Sequence, residues 1–276
     1  MIFHKCFKVC SLSCAILWGI VTSSIIQPDK QQEKDQLSNH FISTEQLLDI
    51  SEKWKALEWN NWFSRMENEW ENLNLVLQND KRNILQDRHS NWKEWIQHLE
   101  NKWENINENI NPEYKTNLLH ISLTWNEEQW GNWAYNTLKC FLENDWNILI
   151  KEITEQINTH IDQRWIKWLH EQNSIWLSND WIIDENAFWE NMIKLDSSKY
   201  AWTQEVKQYF IKWNERTNHQ NFMWNNWIHN KNKIINHIKK DNLDDWTKDK
   251  YDSFNKWREI FLQDWITSQK WKKLAK

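Results

Sequence analysis

An all-α fold built from few, long helices is what this sequence predicts. Three observations carry the prediction. The chain of 276 residues holds 25 Trp, but only 2 Gly and 2 Pro. Turns that need a positive φ lean on Gly, so two glycines cannot serve a many-stranded β fold or a phosphate-cradling loop. The tryptophans also recur in one register: Trp59, Trp62, Phe63, Met66 and Trp70 keep the same offsets as Trp92, Trp95, Ile96, Leu99 and Trp103. On a helix each set falls within an arc of about 100°, the width of one core-facing stripe. A strand would scatter the rings over both faces.

The elements follow in order. Residues 1–28 place Lys5 and Lys8 before an uncharged run from Val9 to Ile26, then Pro28. That is the layout of a signal peptide with small residues, Thr22 to Ser24, at the cutting point; the run is also long enough to stay as a signal anchor. Residues 29–43, rich in Gln, Lys, Asp and Ser, read as a polar linker. Residues 44–276 are the tryptophan-rich helical domain. Its first helix is predicted from about 44 to 110 and ends before Pro112, which suits the first turn of the next helix. The second is predicted from about 113 to about 178, its turn falling at SND (178–180) or at DSS (196–198). The third reaches about 275, with kinks near 196–199 and 241–245. The expected architecture is an elongated bundle of three long helices.

Further copies of the unit set its core. Trp165, Trp168, Leu169 and Trp176 keep the spacing, as do Phe254, Trp257, Phe261 and Trp265. Trp224 and Trp227 repeat its start; Trp130 and Trp133 begin a copy that reaches LENDW (142–146) only after a five-residue stretch. The period is not fixed, so this is duplicated helix rather than a solenoid. The core stripe is therefore Trp59, Trp62, Trp70, Trp92, Trp95, Trp103, Trp130, Trp133, Trp165, Trp168, Trp176, Trp224, Trp227, Trp257 and Trp265. Burying one Trp removes about 200 Å² from water, roughly 5 kcal/mol of transfer free energy. Each indole N–H wants an acceptor, for which the flanking Asn60, Asn61, Asn68, Asn132, Asn144, Asn225 and Asn226 are placed. Trp54, Trp125, Trp246 and Trp271 stand off the stripe or among charges and are the candidates for partly exposed rings.

Chemistry-bearing motifs are few. Cys6, Cys10 and Cys14 lie in the leader, which leaves Cys140 alone and the fold dependent on packing. The ten histidines include no H-E-x-x-H, and neither a G-x-S-x-G nor a phosphate-loop motif occurs. No catalytic residue, metal site or cofactor is expected, and the reading is a protein that is not an enzyme. Charge is uneven: residues 29–204 carry 17 Lys+Arg against 30 Asp+Glu, and residues 205–276 carry 15 against 9. An acidic chain is a poor general nucleic-acid binder, so no nucleic acid is expected as a partner. The basic last quarter mixes Lys with apolar residues in HNKNKIINHIKK (229–240) and DWITSQKWKKLAK (264–276), the form of an interfacial helix end. The membrane-contact candidates are Lys231, Lys233, Lys239, Lys240, Trp246, Lys270, Trp271, Lys272 and Lys273.

The hydrophobic leader, the linker and then helical W-x-x-W units in an Asn/Lys/Ile-rich chain resemble the Plasmodium tryptophan-rich antigens, through their tryptophan/threonine-rich antigen C-terminal domain. The likeness covers about residues 50–276 and rests on repeated Trp spacing, with no ligand-binding motif to carry over. It implies a BAR-like three-helix bundle, dimeric by analogy, on a protein of the secretory route that is secreted, displayed on the parasite surface or associated with the host-cell membrane. It also implies erythrocyte binding in the course of host-cell invasion. The expected partner is membrane lipid, through anionic or glycosphingolipid headgroups. The alternatives are an adhesin for a red-cell surface protein and a purely structural bundle in a parasite membrane complex.

Overall fold

A computed structural model describes residues 44–196 and 202–274. The leader, its cysteines and the linker lie outside the described residues. The described chain is helical throughout, with no strand among these residues. In order it forms α1 (Thr44–Ser90), α2 (Trp92–Glu104), α3 (Ile106–Asn109), α4 (Pro112–Ile121), α5 (Glu127–Trp133), a π-helical turn (Ala134–Leu138), α6 (Lys139–Leu177), α7 (Asp180–Asp196), α8 (Gln204–Lys240), α9 (Leu243–Thr267) and a 3₁₀ turn (Lys270–Lys273).

The three-helix, BAR-like expectation is not supported, because each predicted rod is divided. The reason lies in asparagine. Asn105 Nδ2 donates to Asn101 O, and Asn109 Nδ2 donates to Lys102 O at 2.8 Å and to Asn105 O at 3.1 Å. These amides compete with the backbone for its own carbonyls where the first rod breaks at Asn105; the rod also breaks at Asn91, whose side chain makes no capping bond. Where breaks were expected, the local chemistry is as the residues suggest. Asn111 accepts from the N–H groups of Glu113 and Tyr114 ahead of Pro112. Asn179 joins α6 to α7, and Asn242, in the left-handed region at φ 56°, joins α8 to α9. The second rod has a further interruption at 122–126, closed by a capping box between Asn126 and Gln129.

The five extra residues between the Trp130–Trp133 pair and LENDW coincide with the π-helical turn. Regular α winding across that insertion would rotate the later stripe away from the earlier one. The wider turn absorbs the insertion, and Trp130, Trp133, Leu142 and Trp146 are all buried.

Packing divides the described residues into two compact units. The first comprises 44–73 with 165–232, the second 74–164 with 233–274. In the first, motif copies pack on one another: Trp62 meets Trp176 at 5.2 Å and Trp224 at 5.6 Å, and Trp70 meets Trp165 at 5.4 Å. Trp189 centres a second cluster with Tyr209, Phe210 and Trp213. In the second unit Trp146 stacks on Phe254, and Trp130 and Trp133 pack on Trp265. A buried ladder of Leu149, Ile153, Ile157 and Ile161 lines α6 in this unit, where aliphatic residues replace the rings.

Of the fifteen stripe tryptophans ten are buried, and Trp92, Trp95, Trp168, Trp224 and Trp257 are half-buried. Four of them find N–H acceptors on other helices rather than in the flanking asparagines, while the buried N–H groups of Trp59, Trp62 and Trp265 meet none. Trp103 donates to Asp145 at 2.7 Å, Trp165 to Asn232 at 2.9 Å, Trp133 to the Tyr114 hydroxyl, and Trp227 to Glu67. A flanking Asn points outward because it sits beside an inward Trp on the same helix, which leaves its amide on the solvent side.

Candidate membrane-contact site

The cations singled out in the basic quarter divide into two groups. Lys231 is buried: its Nζ is 2.6 Å from Glu67 Oε1 and lies over the Trp70 and Trp227 rings at 5.0 and 5.4 Å. Lys239 pairs with Asp162 at 2.6 Å, and Lys270 with Glu104 and with Asp264. Ion pairs from the neighbouring carboxylates hold the Lys270 ammonium above its ordinary pKa although burial works against it. Arg258 likewise meets Glu143. Much of the positive charge of the last quarter thus meets the negative charge of the earlier chain inside the fold. Lys233, Lys240, Lys272 and Lys273 remain exposed. The first pair lies on α8 and the second on the closing 3₁₀ turn.

The rings divide too. Trp271 is buried, contrary to the expectation of partial exposure. It stacks on Trp130 at 6.0 Å with the planes 11° apart and meets Trp265 at 5.9 Å. Its offset of six from Trp265 would turn it off that helix's stripe, but the chain leaves α9 at Thr267 and folds back through Gln269, at φ 52°. Trp125 and Trp246 are half-buried, and Trp54 is 44% exposed.

The most exposed large apolar side chain among the described residues is one that periodicity did not single out. Leu123, in the turn between α4 and α5, is 81% exposed, and Ile121 just before it is 59% exposed. The available signal was the string ISLTW: two aliphatics between small hydroxyl residues, out of register with the Trp stripe on either side. This turn is tied to the exposed lysine pair through a succession of rings. Trp125 packs edge-on against Trp130 at 5.0 Å, Trp130 stacks on Trp271, and Lys272 and Lys273 follow directly. Asn107 Nδ2 fixes the 3₁₀ turn by donating to Lys273 O. Glu127 and Glu128 also lie near the turn, in the first turn of α5, where the helix dipole favours a carboxylate. No helix among the described residues is long and apolar enough to cross a membrane.

The described residues form a tryptophan-seamed, all-α protein in which ring contacts link an exposed apolar turn to a cationic one. The chain belongs to the Plasmodium tryptophan-threonine-rich antigens: the family model for the tryptophan-threonine-rich plasmodium antigen C terminal matches residues 58–274. No curated protein matches it.

Proposed function

We propose that this antigen is a non-enzymatic membrane-associating protein of the secretory route, placed at the parasite surface, released, or on the host-cell membrane. One end of its second unit makes the attachment. Leu123 and Ile121 enter the boundary between headgroups and acyl chains, while Lys272 and Lys273 lie over anionic headgroups. The observation that carries this reading is the exposure of Leu123 on a turn tied by Trp125, Trp130 and Trp271 to an unburied lysine pair. An aliphatic side chain left in water at a turn gains about 1.5–3 kcal/mol on burial. Each lysine near an anionic surface adds about 1 kcal/mol, screened by salt. Both terms are small, so the expected attachment is reversible.

Flotation of the full chain with phosphatidylserine, glycosphingolipid and neutral vesicles tests it. Leu123→Ser with Ile121→Ser is expected to lower the bound fraction at least tenfold on anionic vesicles, and Lys272→Gln with Lys273→Gln several-fold at low salt only. Binding that both double variants retain in full would remove the reading.

A second reading, attachment to a red-cell surface protein, is favoured by one separate feature. Leu47, Ile50, Trp54 and Leu57 are all exposed on α1 of the first unit, at spacings of three, four and three. These put one apolar stripe on the side away from buried Lys55, Trp59 and Trp62, and Trp is a frequent interface anchor. Protease treatment of the target cells separates the two: binding that survives supports lipid, and binding that is lost supports the protein receptor. A purely structural bundle predicts neither kind of binding.

A further inference from the structure

Four lysines are buried among the described residues, and three have a carboxylate partner: Lys55 with Glu185 at 2.7 Å, Lys231 with Glu67 at 2.6 Å, and Lys250 with Asp249 at 2.9 Å. Lys81 has none. Its ammonium donates to Ile238 O at 2.6 Å and to Asp241 O, the carbonyls that end α8. Two of its three donors are used in this way. Burial holds its pKa below the ordinary lysine value, against the more distant pull of Asp241 and Asp244. A buried cation bonded to peptide carbonyls, with carboxylates only at longer range, is an arrangement that an anion would relieve.

The surroundings point to what the anion is attached to. Lys81 lines a cleft of about 570 Å³ within the second unit, formed by the end of α1, the end of α8 and the start of α9. That volume is in the range of small-molecule sites. Arg82 and His237 add cationic or donor groups, and Arg82 spends one N–H on Asn79. Leu85, Ile238 and Trp246 supply apolar wall. The Trp246 Nε1–H is enclosed and has no acceptor in the protein. The one carboxylate in the lining, Asp241, accepts from Asn242 Nδ2 at 2.8 Å.

We infer that this cleft is a binding site for an oxyanion on a short apolar body, a phosphate monoester or carboxylate amphiphile, with the charge at Lys81, Arg82 and His237 and the apolar part against Leu85 and Trp246. The site uses other residues than the Leu123 turn, so either can fail without the other.

Isothermal titration of the full chain with octyl phosphate, 1-octanol and inorganic phosphate tests it. Octyl phosphate is expected to bind once per chain. Octanol, without the charge, and phosphate, without the apolar body, are each expected to bind at least tenfold more weakly. Lys81→Met, which keeps length without charge, should lower octyl phosphate affinity at least tenfold. Arg82→Gln with His237→Gln, at exposed positions that do not endanger folding, should lower it several-fold. Competition identifies the source: displacement by phosphatidate vesicles assigns the oxyanion to a lipid headgroup, and displacement by a soluble alkyl phosphate alone assigns it to a free metabolite. Either result supports the site. No saturable binding of octyl phosphate, equal binding of octanol, or affinity unchanged in the Arg82/His237 variant overturns it.

Discussion

Lys55 shows how a single position can matter more than its type suggests. It lies on α1 among tryptophans, yet its ammonium donates to Glu185 at 2.7 Å, Glu52 at 2.9 Å and the Tyr209 hydroxyl at 3.1 Å. Arg216 completes the network through Glu52 at 2.6 Å and Glu185 at 2.5 Å. Two cations and two carboxylates balance, and burial would lower the Lys55 pKa but for Glu185, Tyr209 and Glu52, which raise it. Lys55→Met leaves Glu185 enclosed with one cation fewer and is expected to cost about 3–5 kcal/mol in urea unfolding. Adding Glu185→Leu should restore most of that loss; no restoration would mean the cost lies in packing. Glu67 gives a pH dependence. Burial pushes its carboxyl up, but hydrogen bonds from Lys231 and Trp227 overcome this and hold it below the ordinary glutamate value. A depressed folded-state pKa contributes stability that is present above the unfolded-state value and lost as pH falls through the folded one. Glu67→Gln should therefore melt lower at pH 7 and lose less on acidification than the natural chain, by thermal melts from pH 7 to 3. Equal acid slopes would show that Glu67 is not linked to folding.

At the scale of elements, the helices were legible and their interruptions only partly so. The Trp offsets define a stripe because side chains three, four, seven and eleven apart share a helix face whatever lies opposite. The breaks at Pro112, Ser178–Asn179 and Asp241–Asn242 follow from proline's missing N–H and from the capping and left-handed tolerance of Asn. Asn91 and Asn105 were not distinguishable from the many asparagines that continue a helix, since propensity differences among such residues are a few tenths of a kcal/mol. The π-helical turn was visible only as a five-residue irregularity in the repeat. The Leu123 turn was hidden for the opposite reason: an aliphatic residue between two Trp pairs reads as core until the chain is seen to turn there.

At the scale of the whole molecule, each unit draws on distant stretches of chain. Residues 74–164 are completed by 233–274, which bring Phe254 onto Trp146 and Trp265 onto Trp133. A chain ending at Asn232 should lose hydrogen-exchange protection across residues 92–146; protection that persists would show those helices to be self-sufficient. The charge asymmetry along the sequence has the same origin. An acidic first part and a basic last quarter meet as Glu67–Lys231, Asp162–Lys239 and Glu104–Lys270, so the imbalance is largely a pattern of internal pairing. By itself the sequence determined the helical state, the inward face of the Trp-bearing segments and the kinship, because spacing along a chain fixes which side chains share a side of a helix. Tertiary structure alone decided which lysines stay in water, that Trp271 turns inward and Leu123 outward, and that Lys81 lines a cleft with no carboxylate in ion-pair contact. Those outcomes depend on groups brought together from more than a hundred residues away, and no local period encodes what will stand opposite.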